Sequence, residues 1–207
     1  MDYDFKRYGL LHTPDLGEQN DEDRLDSWII EAKRPMNLYQ FSDENYRITK
    51  ETVKRVEEAG GCNAVLEIGV CRTNSVSSTS AIITTKRQEC KYLGVDKQPN
   101  QEDVESNFFF LQHDSGDYEA VSGWVKSLGV EKFDLIFIDG FHSVNQVLKE
   151  WKYTEWLSDH GCVMLHDTSI HPGPVELLKA LDPKVWKLEQ HLLNDHNDWG
   201  ISCVWKR

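Results

Sequence analysis

Two short stretches in the C-terminal half of the chain bring together side chains with useful chemistry. Asp139 and His142 stand in Ile138-Asp139-Gly140-Phe141-His142, and His166-Asp167-Thr168 follows the apolar run 162–165. Asp139 and Asp167 lie 28 residues apart, each at the end of an apolar run. If those runs are neighbouring strands, the two carboxylates converge, and paired carboxylates suit a divalent cation such as Mg2+, which takes oxygen ligands. His142, with an ordinary pKa of about 6.5, has the basicity to take a proton near neutrality. The plain alternative is that His142 caps the helix begun by Ser143 or packs as a neutral structural histidine.

The elements that must position these groups become regular from residue 64 onward. Apolar runs at 64–70, 92–95, 108–111, 133–138 and 162–165 read as strands. They alternate with helix-compatible stretches at 74–86, 117–128, 143–158 and from Pro172 to Leu181. In the long helix Val144, Val147, Leu148 and Trp151 follow the i, i+3, i+4, i+7 rule. Residues 185–193 and 201–205 read as a closing antiparallel pair. Strands alternating with helices predict an α/β fold with a mostly parallel sheet covered on both faces. Ligands of such sheets sit beyond the carboxyl ends of the strands, and here those ends are polar. Before the sheet, residues 3–26 read as loop or short helix, and 43–60 as a helix capped by Asp43 and ended by Gly60-Gly61. The sequence divides into an N-terminal helical extension, 1–60, and one domain, 61–207.

Composition narrows the partners. Hydrophobic residues make up 39% of the 207 and charged residues 28%, with a net charge of −12. So acidic a chain is not expected to grip a nucleic-acid backbone. No apolar run is long enough to span a bilayer, and residues 1–10 do not resemble a signal peptide, so a cytoplasmic protein without membrane partners is expected. Five cysteines without CxxC spacing argue against a disulfide framework or a cysteine zinc site.

The succession of strand ends is Glu67-Ile68-Gly69-Val70-Cys71-Arg72, then Asp96, Asp114-Ser115, Asp139-Gly140 and His166-Asp167-Thr168. Over residues 60–207 this resembles the class I S-adenosylmethionine (SAM)-dependent methyltransferases. Within them it is most similar to the small-molecule and sugar O-methyltransferase branch, where one strand ends in IDG-x-H and another in HD. The resemblance implies a Rossmann-like, doubly wound sheet of seven strands with the last antiparallel. It implies SAM as cofactor and methyl transfer to a hydroxyl on a small acceptor. Gly69 lets the backbone approach the ligand without a Cβ in the way, and Glu67 organises that loop. Asp96 would accept from both ribose hydroxyls, and Asp114, with Ser115 beside it, would take the adenine amino group. Asp139, Asp167 and His166 would hold Mg2+ or Mn2+; His142 would be the general base, with Asp139 and His166 also at the reacting end. The loop departs from the family at Thr73 and Asn74, where further glycines are common. Relatives place a lid where Tyr39, Phe41 and Tyr46 stand, although core packing is the plainer reading of each of these aromatics. Trp151 and Trp156 are expected in the core, and His171, His191 and His196 as solvated or structural.

Two other functions compete. A nicotinamide-dependent oxidoreductase also places an acid after strand two, but the first turn here is not G-x-G-x-x-G. A non-catalytic SAM- or nucleotide-binding protein would not need Asp139, His142 and Asp167 together. Nothing in the sequence decides whether the chain forms homo-oligomers.

Overall fold

The computed structural model describes residues 4–14, 41–70, 76–99, 107–191 and 199–207. Seven strands form one sheet: β1 Ala64–Ile68, β2 Lys91–Asp96, β3 Phe108–Gln112, β4 Phe133–Ile138, β5 Leu157–His166, β6 Trp186–His191 and β7 Ile201–Lys206. Their order is β3-β2-β1-β4-β5-β7-β6. β7 is antiparallel to both of its neighbours, and the five strands β1–β5 pair in parallel. The expected Rossmann-like fold is present.

The central strands are apolar on both faces because each face meets its own core. Leu66, Ile68, Leu93, Val95, Ile136, Ile138, Val163 and Leu165 point into one cluster with Trp151 and Tyr153. Their strand neighbours Val65, Tyr92, Leu135, Phe137, Cys162 and Met164 point into the other, with Val53 and Val56. This period-two split is what a strand buried on both sides requires. Helix α1 (Asp43–Gly60) covers the second face through Ile48, Val53 and Val56. Helices α3 (Tyr118–Ser127), α4 (Val144–Trp151) and α5 (Pro172–Ala180) cover the first.

Three expectations are corrected in detail. The helix read over 74–86 is observed as α2, Ser78–Ile83, capped by Ser77; residues 71–75, with Thr73 and Asn74, lie outside the described residues. α1 is capped by Ser42, whose side chain accepts from the Asn45 N–H, and Asp43 is its first residue. The helix read over 143–158 ends at Trp151, continues as a 3-10 turn, Lys152–Trp156, and gives way to β5 at Leu157. The described part of residues 3–26 is a 3-10 turn, Phe5–Tyr8, joined to the domain by an antiparallel bridge between Leu10 and Leu181. Tyr39 and His196 also lie outside the described residues, as do 15–40.

The switch point of the sheet falls between β1 and β4. β1 leads through β2 to β3 on one side; the chain then returns to β4 on the other. The carboxyl ends of these two strands are joined by a hydrogen bond from the Asp139 N–H to the Ile68 carbonyl, 2.9 Å.

Candidate active site

At that switch point β1 turns away at Gly69, whose φ is +82°. A Cβ built on Gly69 would stand 2.0 Å from the Asp139 carbonyl oxygen, so only glycine lets the two turns approach this closely. The turns open onto a cavity of about 330 Å3 lined by Gly69, Asp96, Ser115, Asp139, Gly140 and Gln146, among others. That volume falls in the usual range for small-molecule sites, roughly 300–1,000 Å3.

Each acid around the cavity has a distinct environment. Glu67 is fully buried and accepts from Thr79 (2.8 Å) and from the Tyr92 hydroxyl. Burial pushes its pKa up to about 7, against those hydrogen bonds. It braces β1 against α2 and β2. Asp96 ends β2 and accepts from the Gln98 N–H at 2.8 Å. Asp114 accepts from the Gly116 N–H at 2.8 Å and pairs with Lys97 at 3.3 Å. Burial alone would raise the Asp114 pKa, but the Gly116 N–H and Lys97 hold it below the usual range. Ser115 donates to Glu150 at 2.6 Å. Glu150 is fully buried, and burial pushes its carboxyl up to about 7.

Asp139 also belongs to a second group. His166, the last residue of β5, places Nδ1 3.1 Å from Asp139 Oδ1 and 2.9 Å from Asp167 Oδ1. His142, in the turn before α4, places Nε2 3.0 Å from Asp167 Oδ2 and 3.5 Å from Asp139 Oδ1. Asp167 adopts φ +59°, a left-handed conformation uncommon outside glycine. His171 caps the other side of the cluster, stacked on His142 with ring centroids 4.4 Å apart and Nε2 3.5 Å from Asp167 Oδ2. His166 is in turn held by Asn45 at 3.1 Å and packed against the Phe41 ring, so α1 and the residue before its cap support the site. Tyr46, by contrast, reaches its hydroxyl to Thr84 at 3.3 Å.

The charges are strongly interdependent. Burial opposes ionisation of every member. Even so, Asp167 and Asp139 raise His142 to about 9 and lift His166 well above its ordinary value. The imidazoles in return hold both carboxylates below theirs. His171 goes the other way: burial, then the charge on His142, lower it to about 4.

The cluster also has the features of a cation site. Asp139, His166 and Asp167 each offer a ligand atom, all within 4.8 Å of one another, and so do His142, Asp167 and His171. Asp167 Oδ1 and His142 Nε2 are buried and close to partners, yet neither makes a hydrogen bond of acceptable geometry among the described residues. Atoms that converge without aligning as hydrogen bonds suit ligation of a common ion. The mixed nitrogen and oxygen donors fit a divalent cation.

The structure therefore places Gly69, Asp96 and Ser115 around one cavity, with Asp114 next to Ser115 and Glu67 in the strand that leads to the Gly69 turn. It places Asp139, His142, His166 and Asp167 in one cluster, and Asp139 is common to both. Sequence reasoning missed three participants. His171, expected to be solvated or structural, is buried against His142 and Asp167. Gln146 and Glu150 lie four apart on α4 and reach under the cavity; that helical spacing was the available signal.

No protein-family model matches the sequence, and no curated protein matches it. Its fold, however, matches solved structures. One is the methyltransferase MycE of the mycinamycin biosynthetic pathway, in complex with Mg, SAH and mycinamycin VI: TM-score 0.58, 15% identity, 88% of this chain and 53% of that one. Another crystal form with Mg and SAH gives a TM-score of 0.56 at 18% identity over 95% of this chain and 55% of that chain. A third is SMU.1697c of Streptococcus mutans in complex with SAH, TM-score 0.51 at 13% identity, covering 77% of this chain and 95% of that one. The chain spans about half the length of MycE. These likenesses show that the chain has the class I methyltransferase fold.

Proposed function

We propose that this chain is a SAM-dependent methyltransferase acting on a hydroxyl of a small molecule, with help from a divalent cation. The observation that carries the reading is that Asp139 lines the small-molecule cavity and also belongs to the buried histidine–aspartate cluster. A cofactor beyond β1 and β2 would thus lie against the groups able to handle an acceptor's proton. Structural neighbours that carry SAH in the same fold support the cofactor, and the Mg of MycE supports the cation.

Gly69 admits the cofactor's chain without obstruction, and the Asp96 carboxylate can accept from both ribose hydroxyls. Asp114, with Ser115 beside it, can accept from the adenine amino group. SAM supplies an electrophilic methyl group, and the acceptor must be aligned with it and relieved of its hydroxyl proton. Asp139, Asp167 and His166 would hold the cation, which would lower the pKa of the acceptor hydroxyl. His142 takes the proton at Nε2. Because Asp167 and Asp139 keep His142 protonated in their own right, it serves as a base only where those acids are neutralised from another side. Base and cation are therefore coupled in this reading.

A screen of hydroxylated acceptors, sugars and phenols among them, with methyl-labelled SAM tests the reading. It should be run with chelator and then with Mg2+, Mn2+ or Zn2+ restored. Label transfer that falls in chelator and returns with an ion is the expected result. Full activity in chelator removes the cation from the account. SAM binding without turnover on any acceptor would leave a non-catalytic binding protein.

A further inference from the structure

Glu150 is a buried acid that the proposed chemistry does not use. It sits on α4, fully buried, with its carboxylate under the turn Asp114–Gly116. Oε1 accepts from Ser115 Oγ at 2.6 Å and from Gln146 Nε2 at 2.9 Å. The same Gln146 Nε2 lies 3.0 Å from Ser115 Oγ and 3.3 Å from Asp114 Oδ1. Gln146 and Ser115 line the cavity. The Tyr153 hydroxyl, donating to the Ser115 carbonyl at 2.7 Å, braces the turn from behind.

These contacts define a direction. Glu150 Oε1 accepts from both neighbours, and a serine hydroxyl has one proton to give. Ser115 gives its proton to Glu150, so it meets Gln146 with lone pairs. Asp114 likewise only accepts. The amide group of Gln146 thus faces three acceptors, and its NH2 end must be the one turned toward them. The reverse orientation would set an amide oxygen against three oxygens. Oε1 is left at the other end, next to Gly116, where a Cβ built on the glycine would be 2.9 Å away. Near Asp114 the polar edge thus presents the Gln146 amide oxygen and the Asp114 carboxylate as acceptors, with the Lys97 ammonium held on Asp114 Oδ2 at 3.3 Å.

We propose that Glu150 is a positioning residue that locks the Gln146 amide, so that the cavity selects a purine bearing an exocyclic amino group over one bearing a carbonyl. The proposal rests on the SAM reading and adds the device that reads the base. An amino group donates to the acceptors offered by Gln146 and Asp114; a 6-oxo purine sets oxygen against oxygen at the locked Gln146 amide and leaves its oxygen without a donor. With Gln at position 150, the new side chain has an NH2 of its own, and the Gln146 amide is free to turn over.

The test is calorimetric binding of S-adenosylhomocysteine and its 6-oxo analogue S-inosylhomocysteine to the full chain and to Glu150→Gln. The unaltered chain should prefer the adenine compound by roughly 10- to 100-fold, the weight of one or two hydrogen bonds. In E150Q that preference should fall by about 10-fold, because the amide can now present its donor to the carbonyl. If E150Q does not fold, Gln146→Met removes the reader itself and should lose the same preference. Equal weakening of both compounds, or an unchanged preference in either variant, overturns the proposal while leaving the cofactor reading intact. Failure of the unaltered chain to bind either compound overturns the cofactor reading, and this inference falls with it.

Discussion

Gly69→Ala tests the geometry on which the whole site depends. An alanine at the observed φ of +82° pays a left-handed penalty of about 1–2 kcal/mol. Its Cβ would lie 2.0 Å from the Asp139 carbonyl oxygen and 2.5 Å from the carbonyl carbon. Both are backbone atoms at the end of β4, so no side chain can swing aside. Forcing an extra methyl into a packed region costs roughly 1–3 kcal/mol. Stiffening the unfolded chain returns about 0.4–1 kcal/mol, which leaves a net loss of roughly 1–4.5 kcal/mol. Stability typically totals about 5–15 kcal/mol, so urea denaturation should show a much lower midpoint with an unchanged slope. SAH binding should weaken by at least about 10-fold, because the β1 and β4 turns have been pushed apart. Gly123→Ala is the control: it lies in α3 with nothing within 4 Å of a built Cβ. It should stabilise the protein by about 0.5–1 kcal/mol. A Gly69→Ala protein as stable as the original, or with undiminished SAH affinity, would refute the close approach of the two turns.

His142→Ala should reduce turnover on a responsive acceptor by about 10²–10⁴ while SAH affinity stays within a few-fold; unchanged turnover in a labelled-methyl assay would move the base assignment to His166. Stability should also depend on pH through Glu67 and Glu150. Burial raises both carboxyls to about 7, above the ordinary glutamate value of about 4.3. Between those values the folded protein keeps protons that the unfolded chain has lost, so their contribution falls as pH rises through this window and levels off above 7. Thermal melts from pH 4.5 to 8 should show a smaller decline in Glu150→Gln than in the unaltered chain, and an identical decline would contradict the burial argument.

The sheet was legible because its central strands are apolar on both faces, a pattern that short runs such as 133–138 display directly. The site was legible for a related reason: in a parallel sheet the residues ending the strands gather on one edge, so Asp96, Asp114, Asp139 and Asp167 could be grouped without knowing the fold in detail. Boundaries were harder. Residues 152–158 contain neither Gly nor Pro to stop α4, and the pairing of Leu157 with Phe133 draws that segment into β5. Glu150 falls off the apolar stripe of its helix and reads as a surface acid; its burial comes from the turn after β3 packing over α4. The place of His171 against His142 was not legible because that contact depends on the start of α5 docking on the residues before α4, through the Gly173 N–H bonded to the His142 carbonyl at 2.9 Å. Such tertiary contacts leave no local periodicity to read.

The most direct test of the central claim is titration calorimetry of the unaltered chain and of Asp96→Ala with SAM, SAH and NAD. The account expects stoichiometric binding of SAM and SAH, no comparable binding of NAD, and a loss of about 1.5–3 kcal/mol in SAH affinity when the Asp96 carboxylate is removed. NAD bound more tightly than SAM would contradict it, and so would SAH affinity indifferent to the loss of Asp96.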